Sequence, residues 1–181
     1  GMFQSVYDYP YLSSSANHIF DITCGYSDNS SLSASSNVTE QDKKINLYNE
    51  LAQVLVGHDA TGSIKEFQIP DGDLIKEAYF INFSRLLTKD EIKKGSFTLS
   101  LDKNIMRNWV FPMSGTLDTI TTTKSGDNDV YYTDSPAGEY AILSSSLSGN
   151  VGLLYYQAGI AVLGTSSVKQ LVANSSDERA I

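Results

Sequence analysis

The stretch Ala78-Tyr79-Phe80-Ile81-Asn82-Phe83-Ser84 decides the fold, because it is almost continuously apolar and rich in aromatic side chains. A short apolar run of this kind is typical of a strand that is covered on both faces. We therefore predict a central β-strand over 78–84. The side chains of Phe80 and Phe83 are expected to lie in the core.

The sequence on the C-terminal side of this stretch predicts further strands. Phe97, Leu99 and Leu101 alternate with polar residues, which is the period of a half-buried strand. Turn residues such as those of 126–129 and 135–138 separate the later apolar segments, which lie at 116–123, 130–133, 139–144, 152–156 and 159–163. Turns spaced in this way favour a mainly β fold, either a β-sandwich or a barrel-like sheet.

Two segments carry helix signals. Thr39-Glu40-Gln41-Asp42 resembles a capping box, apolar residues then recur at helical spacing, and Gly57 stands where a helix-ending glycine belongs. We predict an amphipathic helix over 40–56 that covers one face of the sheet. A second capping pattern at 88–91, closed by Gly95, predicts a short helix over 89–94. An α+β fold is the alternative interpretation.

The 181 residues favour one β-rich domain over 2–165. Residues 2–38 are rich in Ser, Asn and Tyr and are expected to form an N-terminal arm or loop, whereas 166–181 resemble a frayed tail or the start of a linker. Tyr7, Tyr9 and Tyr11 alternate, so they would share one face of an extended segment. That segment is either an edge strand or an arm that contacts a partner.

Composition excludes several classes of protein. The net charge of −8 argues against a nucleic-acid-binding protein, which usually has a basic surface. The net negative charge lies in the flanks, because 43–109 holds ten bases and nine acids and is nearly neutral. A single Cys and two His provide neither an intrachain disulfide nor a zinc cluster. The longest apolar stretch, 152–164, is shorter than the roughly 18 residues that a membrane span needs. We expect no cofactor, metal, nucleic-acid or membrane partner.

Possible catalytic or metal-binding residues have simpler structural interpretations. The side chains of His18, Asp21 and Cys24 are of the types that form a catalytic Cys–His–Asp arrangement, but their spacing matches no known signature. His58 follows the predicted helix and is expected to bind its last carbonyl groups. We therefore predict no catalytic residues.

Two groups of residues suggest weak binding sites. The acids at 127–129 and Asp134 have the oxygen ligands that calcium prefers but lack the spacing of a calcium loop, so a solvated turn is favoured. Trp109 is a candidate platform for a sugar, although a lone Trp beside Val110 and Phe111 more often packs in a core. Tyr7, Tyr9, Tyr11 and Trp109 are the weak candidates for contact with a partner or glycan.

Three stretches, taken together, carry a resemblance to a known family. They are 16–27, with the sequence Ala-Asn-His-Ile-Phe-Asp-Ile-Thr followed by Gly25-Tyr26-Ser27; 85–97, with Arg-Leu-Leu-Thr-Lys-Asp-Glu-Ile-Lys-Lys-Gly-Ser-Phe; and 155–163, with Tyr-Tyr-Gln-Ala-Gly-Ile-Ala-Val-Leu. Their order and spacing resemble those of virion structural proteins of large contractile-tailed phages that infect marine cyanobacteria.

This resemblance implies a non-enzymatic structural protein of the phage tail, neck or baseplate. Such a protein is made in the host cytoplasm, resides in the virion, and associates with copies of itself and with other virion proteins. One alternative is a carbohydrate- or receptor-binding β-module, which Trp109 and the eleven Tyr suggest. Another is a cell-wall hydrolase domain, which would need two carboxylates about 5–9.5 Å apart.

Overall fold

The computed structural model describes residues 3–8, 16–34, 38–70, 72–84, 90–102, 117–126 and 128–165. Within these residues the fold is mainly β with one α-helix, which confirms the predicted fold class. The elements in chain order are β1 (Phe3–Tyr7), β2 (His18–Tyr26), a 3₁₀ helix (Ser31–Ala34), α1 (Val38–Leu55), β3 (Phe67–Gln68), β4 (Leu74–Ile75), β5 (Glu77–Asn82), β6 (Thr98–Asp102), β7 (Leu117–Thr122), β8 (Lys124–Ser125), β9 (Asn128–Asp129), β10 (Tyr131–Ser135), β11 (Gly138–Ser145), β12 (Gly149–Tyr155) and β13 (Ile160–Gly164).

Nine of these strands form one curled antiparallel sheet. Of the two predicted architectures, this single curled sheet is nearer to the barrel-like one than to a sandwich of two sheets. The strand order is β1-β2-β5-β13-β12-β11-β7-β6. Strand β10 lies outside this path and pairs with β11. Because β7 pairs with the last residues of β11 and β10 with its first residues, β7 and β10 lie end to end along one edge of β11. The hairpin β8–β9 leaves the sheet between them.

Alternation along the central strands builds a separate core on each face of the sheet. On β5, Phe80 faces α1, whereas Ile81 faces the other way. The helix-side cluster consists of Tyr48, Ala52, Leu55, Phe67, Ile69, Ile75, Ala78, Phe80, Tyr140, Ile142, Leu153, Tyr155 and Val162. The opposite cluster consists of Ile81, Ile120, Ala141, Leu143, Val151, Leu154, Tyr156, Ala161 and Leu163. Strand β5 is therefore central, as predicted, although it ends at Asn82 and leaves Phe83 half-buried beyond it.

The long helix confirms the prediction for 40–56, with one difference at its start. Helix α1 begins at Val38, so Thr39 lies in its first turn and does not cap it. At the other end Gly57 has a φ of 89°, and its N–H donates to the carbonyl of Ala52 at 3.0 Å. This is the predicted glycine-ended helix. The last carbonyl, that of Leu55, accepts a hydrogen bond from the Ser135 hydroxyl, so the capping role expected for His58 belongs to Ser135.

Gly25 allows α1 to approach the sheet closely. A Cβ atom at this position would lie 2.8 Å from the carbonyl oxygen of Lys44 and 3.1 Å from the Cβ of Tyr48. The Tyr48 hydroxyl then donates to the carbonyl of Ile75 at 2.7 Å and accepts from the N–H of Phe67 at 3.1 Å. One buried side chain thus connects the helix, the sheet and the hairpin β3–β4.

The short helix predicted for 89–94 is wrong. Residues 90–96 form bends and a turn, and Gly95 has a φ of 77°, a conformation that glycine adopts without strain. The N–H of Ile92 donates to the carbonyl of Tyr156 at 3.0 Å, and its side chain packs on the opposite cluster. Pairing with the end of β12 and burial of Ile92 outweigh the local capping signal, as tertiary contacts commonly do.

The segment predicted as an N-terminal arm or loop, 2–38, contains two strands of the sheet, β1 and β2. Strand β2 pairs with β1 on one side and with β5 on the other, and its partner for Cys24 is Tyr79. Phe20 and Ile22 pack on the opposite cluster, which explains why this segment joins the sheet. The predicted tail, 166–181, lies outside the described residues. No described helix combines the length and apolar character that a membrane span needs.

Candidate functional site

A groove opens on the helix-side face of the sheet, just beyond the end of α1. Its volume is about 980 Å³. We name it the tyrosine groove and define it by two sets of lining residues: Tyr132, Tyr140 and Tyr155 on the sheet side, and Asp59, Lys65 and Glu66 on the loop side. It exists because α1 ends at Leu55 and leaves this part of the face without a helical cover.

The three tyrosines form a ladder across three neighbouring strands. Tyr132 on β10 pairs with Tyr140 on β11, and Tyr140 pairs with Tyr155 on β12. The rings of Tyr132 and Tyr140 are stacked, with centroids 5.4 Å apart and an interplanar angle of 22°. The rings of Tyr140 and Tyr155 lie 5.3 Å apart at 31°. Directly opposed aromatic side chains stabilise one another across strands, so the register of the sheet fixes this aromatic surface.

The hydroxyl groups of the ladder differ in their partners. Tyr140 donates to Oδ1 of Asp134 at 2.9 Å. Tyr155 is only 2% exposed, and within the described part of the chain its hydroxyl has no hydrogen-bond partner. Burial raises the pKa of both tyrosines, and the nearby Asp134 adds to the effect, so both hydroxyls stay protonated at neutral pH. The groove therefore contains a hydroxyl whose hydrogen-bonding capacity is unused.

The loop side of the groove is held by local hydrogen bonds. The N–H of Lys65 donates to the carbonyl of Gly57 at 3.0 Å, which closes the loop after α1. Oδ1 of Asp59 accepts from the N–H of Thr61 at 2.8 Å and from the N–H of Ser63 at 3.0 Å. A hydrogen bond from the Thr61 hydroxyl is the main cause that lowers the pKa of Asp59. These bonds fix the loop before any ligand arrives.

The electrostatic character of the groove is acidic. Among its lining residues, Asp59, Glu66 and Asp134 are acids and Lys65 is the base. The Ser27 hydroxyl and the Asn29 side-chain amide both donate hydrogen bonds to Oε1 of Glu66. The excess of carboxylates disfavours anionic ligands and favours neutral or cationic ones.

The weak candidates from the sequence lie elsewhere. Tyr7 is in the edge strand β1, where its ring meets the His18 ring edge-on at a centroid distance of 5.5 Å. Tyr9, Tyr11 and Trp109 lie outside the described residues, so their predicted roles stay predictions.

The sequence analysis missed the ladder, although a signal for it was present. Tyr132 and Tyr140 flank the predicted turn at 135–138, and Tyr140 and Tyr155 flank the turn that joins β11 to β12. In each hairpin a register shift near the turn moves the pairing by one residue, and only this shift brings the tyrosines opposite each other. Counting residues from the turns would have suggested that the three rings are close, but not that they are paired.

The suggested nucleophile set does not assemble. The pairing of β1 with β2 shifts register between Val6 and Tyr7, and this irregularity puts His18 beside Asp21, with Nε2 and Oδ1 2.7 Å apart. Cys24 and Phe20 are four residues apart on β2, so their side chains lie on the same face of the sheet. That is the face opposite α1, where Phe20 packs on the opposite cluster. The thiol is thus separated from the His–Asp pair by the thickness of the strand.

Two of the suggested calcium ligands, Asp129 and Asp134, accept hydrogen bonds from other parts of the chain, and Asp127 lies outside the described residues. Oδ2 of Asp129 accepts from the N–H of Gly95 at 2.5 Å and from the Tyr156 hydroxyl at 2.8 Å, while Asp134 binds Tyr140. Among the described residues no three His, Cys, Asp or Glu side chains are grouped in a way that could hold a metal ion.

Comparison of the chain with family models, with curated proteins and with solved structures finds no match. The tyrosine groove is therefore interpreted from its own geometry. It offers a preformed aromatic surface, unused hydrogen-bonding groups and an acidic rim. These features suit reversible binding.

Proposed function

We propose that this chain is a non-enzymatic structural protein of a phage virion, a component of the tail, neck or baseplate that assembles as a homo-oligomer. It would be made in the host cytoplasm and would reside in the particle with other virion proteins. The observation that supports this proposal best is spatial. The three stretches that carry the resemblance to phage virion proteins meet in one part of the fold.

The meeting point lies on the face of the sheet opposite α1. Phe20 from the first stretch packs on Phe83, with ring centroids 5.3 Å apart, and Phe83 packs on Phe97 from the second stretch at 5.6 Å. The second stretch reaches the third through the hydrogen bond from Ile92 to Tyr156. All three stretches therefore contribute side chains to one hydrophobic cluster, as parts of a single structural unit do.

Self-association is supported by the edge of the sheet. Strand β1 is the first strand in the sheet order, and its Phe3 and Tyr7 side chains are 59% and 38% exposed. An edge strand with exposed apolar side chains is a ready template for pairing with another chain. Closed symmetry would limit such pairing to a defined oligomer.

Mass spectrometry of purified phage particles whose genome encodes this chain tests the proposal. We expect peptides of the chain in particles purified on a density gradient, at a constant ratio to the known tail proteins. The control is the lysate of the same infected host, in which non-virion phage proteins are abundant. Detection in the lysate with loss from the purified particles would contradict the proposal.

A further inference from the structure

We propose that the tyrosine groove binds a neutral oligosaccharide. This inference goes beyond the structural role in the virion and does not depend on it. The argument rests on the size of the groove, its aromatic ladder, its unused hydrogen-bonding groups and its charge.

The size of the groove selects an extended ligand. Sites for small molecules commonly have volumes of about 300–1,000 Å³, and a groove of about 980 Å³ is at the upper end of that range. A single small ammonium ion would leave most of this space to water. A chain of several sugar rings fills it.

The aromatic ladder offers the apolar surface that sugar rings use. Tyr132 lies on the edge strand β10, is half-buried, and stacks on Tyr140. Tyrosine combines an apolar ring with a polar hydroxyl and loses little conformational entropy on binding. Tyr140 and Tyr155 are 8% and 2% exposed, so the carbon–hydrogen face of a pyranose would lie on Tyr132, which the other two rings support from below.

Hydrogen-bonding groups beside the ladder match sugar hydroxyls. Oδ1 of Asp134 already accepts from Tyr140, and its second carboxylate oxygen stands at the same rim. The Tyr155 hydroxyl has no protein partner in the described residues, is reached by solvent, and can both donate and accept. A sugar hydroxyl can take the place of solvent there and make an equivalent hydrogen bond.

The negative charge of the groove favours neutral sugars over acidic ones. Three carboxylates and one ammonium group line it, so sialic or uronic acids would meet repulsion. Neutral sugars lack this penalty, and their hydroxyls donate to carboxylates. Because hydrogen bonds to Asp59 already order the neighbouring loop, binding costs less conformational entropy there.

The test begins with an array of immobilised neutral glucans, galactans and mannans together with sialylated and uronic-acid oligosaccharides, probed with the full chain. Isothermal titration calorimetry then measures the dissociation constant of the strongest soluble neutral oligosaccharide. Tyr132→Ala is expected to weaken binding by about tenfold, as loss of a stacking aromatic commonly does. Asp134→Asn keeps the shape of the side chain and is expected to weaken binding by at least about threefold.

Tyr131→Ala is the matched control. Tyr131 is the neighbour of Tyr132 on β10 and points to the other side, where the Lys94 ammonium group lies 4.6 Å from its ring centroid. Binding by this variant should stay within about twofold of the parent, and circular dichroism should show all three variants folded.

Four results would overturn the proposal. They are the absence of binding to every neutral oligosaccharide at about 1 mM, a preference for the acidic sugars, equal losses in Tyr131→Ala and Tyr132→Ala, and release of reducing ends, which would indicate a glycosidase. Absence of the chain from purified virions would leave each of these readouts unchanged. The failure of the two proposals is therefore distinguishable.

Discussion

The two faces of the sheet are built from the same strands yet have different chemistry. The helix-side cluster is rich in Tyr and Phe, and α1 covers only part of it. The opposite cluster is mostly aliphatic, and the curl of the sheet and residues 90–101 cover it. Alternation along a strand thus produces both a closed core and a partly open one. What differs is the cover, and the tyrosine groove lies where α1 stops covering the sheet.

Both faces contain buried hydroxyl groups with partners. On the helix side Tyr48 binds two backbone groups and Tyr140 binds Asp134. On the opposite face the Tyr156 hydroxyl donates to Asp129, and Ser145 donates to Asp118. The helix side differs because three tyrosines adjoin on neighbouring strands beyond the end of α1, so the groove there is lined by rings that have polar ends.

The largest expected effect is the response to alkaline pH, because the helix-side face carries several buried tyrosines. Burial is the main cause that raises the pKa of Tyr48, Tyr140 and Tyr155 in the folded state. Unfolded tyrosines ionise near pH 10, so the folded state holds more protons above that pH and the free energy of unfolding falls as pH rises. The loss is about 1.4 kcal/mol per pH unit for each protected tyrosine.

Guanidinium denaturation at about pH 9, 10 and 11 measures this loss, and ultraviolet difference absorbance counts the ionised tyrosines. Tyr48→Phe removes one protected hydroxyl, so the unfolding free energy should fall less steeply with pH, by the contribution of one proton. A free energy of unfolding that is constant from about pH 9 to about pH 11 would contradict the placement of these rings.

The next effect compares two phenylalanines of one segment. Phe80 is 2% exposed and packs on Tyr48 and Phe67, so Phe80→Ala should lower the free energy of unfolding by about 3–5 kcal/mol. Phe83 is half-buried after the end of β5, and Phe83→Ala should cost about half as much. Urea denaturation of both variants makes the comparison. Equal losses would show that the two faces are equally closed at this point.

A smaller effect is expected where the helix touches the sheet. Gly25→Ala would place a methyl group 2.8 Å from the carbonyl oxygen of Lys44, so it should destabilise the fold by about 1–3 kcal/mol. Gly164→Ala is the control, because its methyl group would meet Ile75 and Val151 at an ordinary distance of 3.5 Å. Thermal unfolding of the two variants should show the larger drop for Gly25→Ala, and the reverse order would contradict the contact of α1 with β2.

The smallest effect concerns a polar residue on the aliphatic face. Asp118 is fully buried and accepts hydrogen bonds from Ser145 at 2.7 and 2.8 Å and from Ser146 at 2.9 Å. Asp118→Ala would leave these hydroxyls without their acceptor and should cost about 1–2 kcal/mol in chemical denaturation. The exposed Asp90 gives the control Asp90→Ala, with a change within about 0.5 kcal/mol. Equal losses of unfolding free energy in Asp118→Ala and Asp90→Ala would indicate that Asp118 lies at the surface.

Elements with strong local signals could be predicted from the sequence. Strands β11 to β13 follow from apolar runs between turn residues, and α1 follows from its helical period and the glycine at 57. Strand β2 was harder to predict, because the Ser- and Asn-rich sequence around it is typical of loops. The false helix at 89–94 arose because a local capping pattern says nothing about Ile92 pairing with Tyr156.

The candidate site depends on long-range pairing and was therefore less predictable than the strands. Tyr132, Tyr140 and Tyr155 come together only through the registers of two hairpins, and their opposite wall is a loop from 57–68. No single segment of the sequence contains the groove. The spacing of the tyrosines around their turns carries part of the information, but each hairpin also has a register shift that the sequence does not indicate.

The central claim, that the chain is a self-assembling structural protein, is tested most directly by multi-angle light scattering of the purified full chain. We predict a mass that is a fixed multiple of one chain across about a hundredfold range of concentration. We also predict a shift toward the single-chain mass in Phe3→Glu, which puts a charge on the exposed edge of β1. A single-chain mass at every concentration would contradict the account.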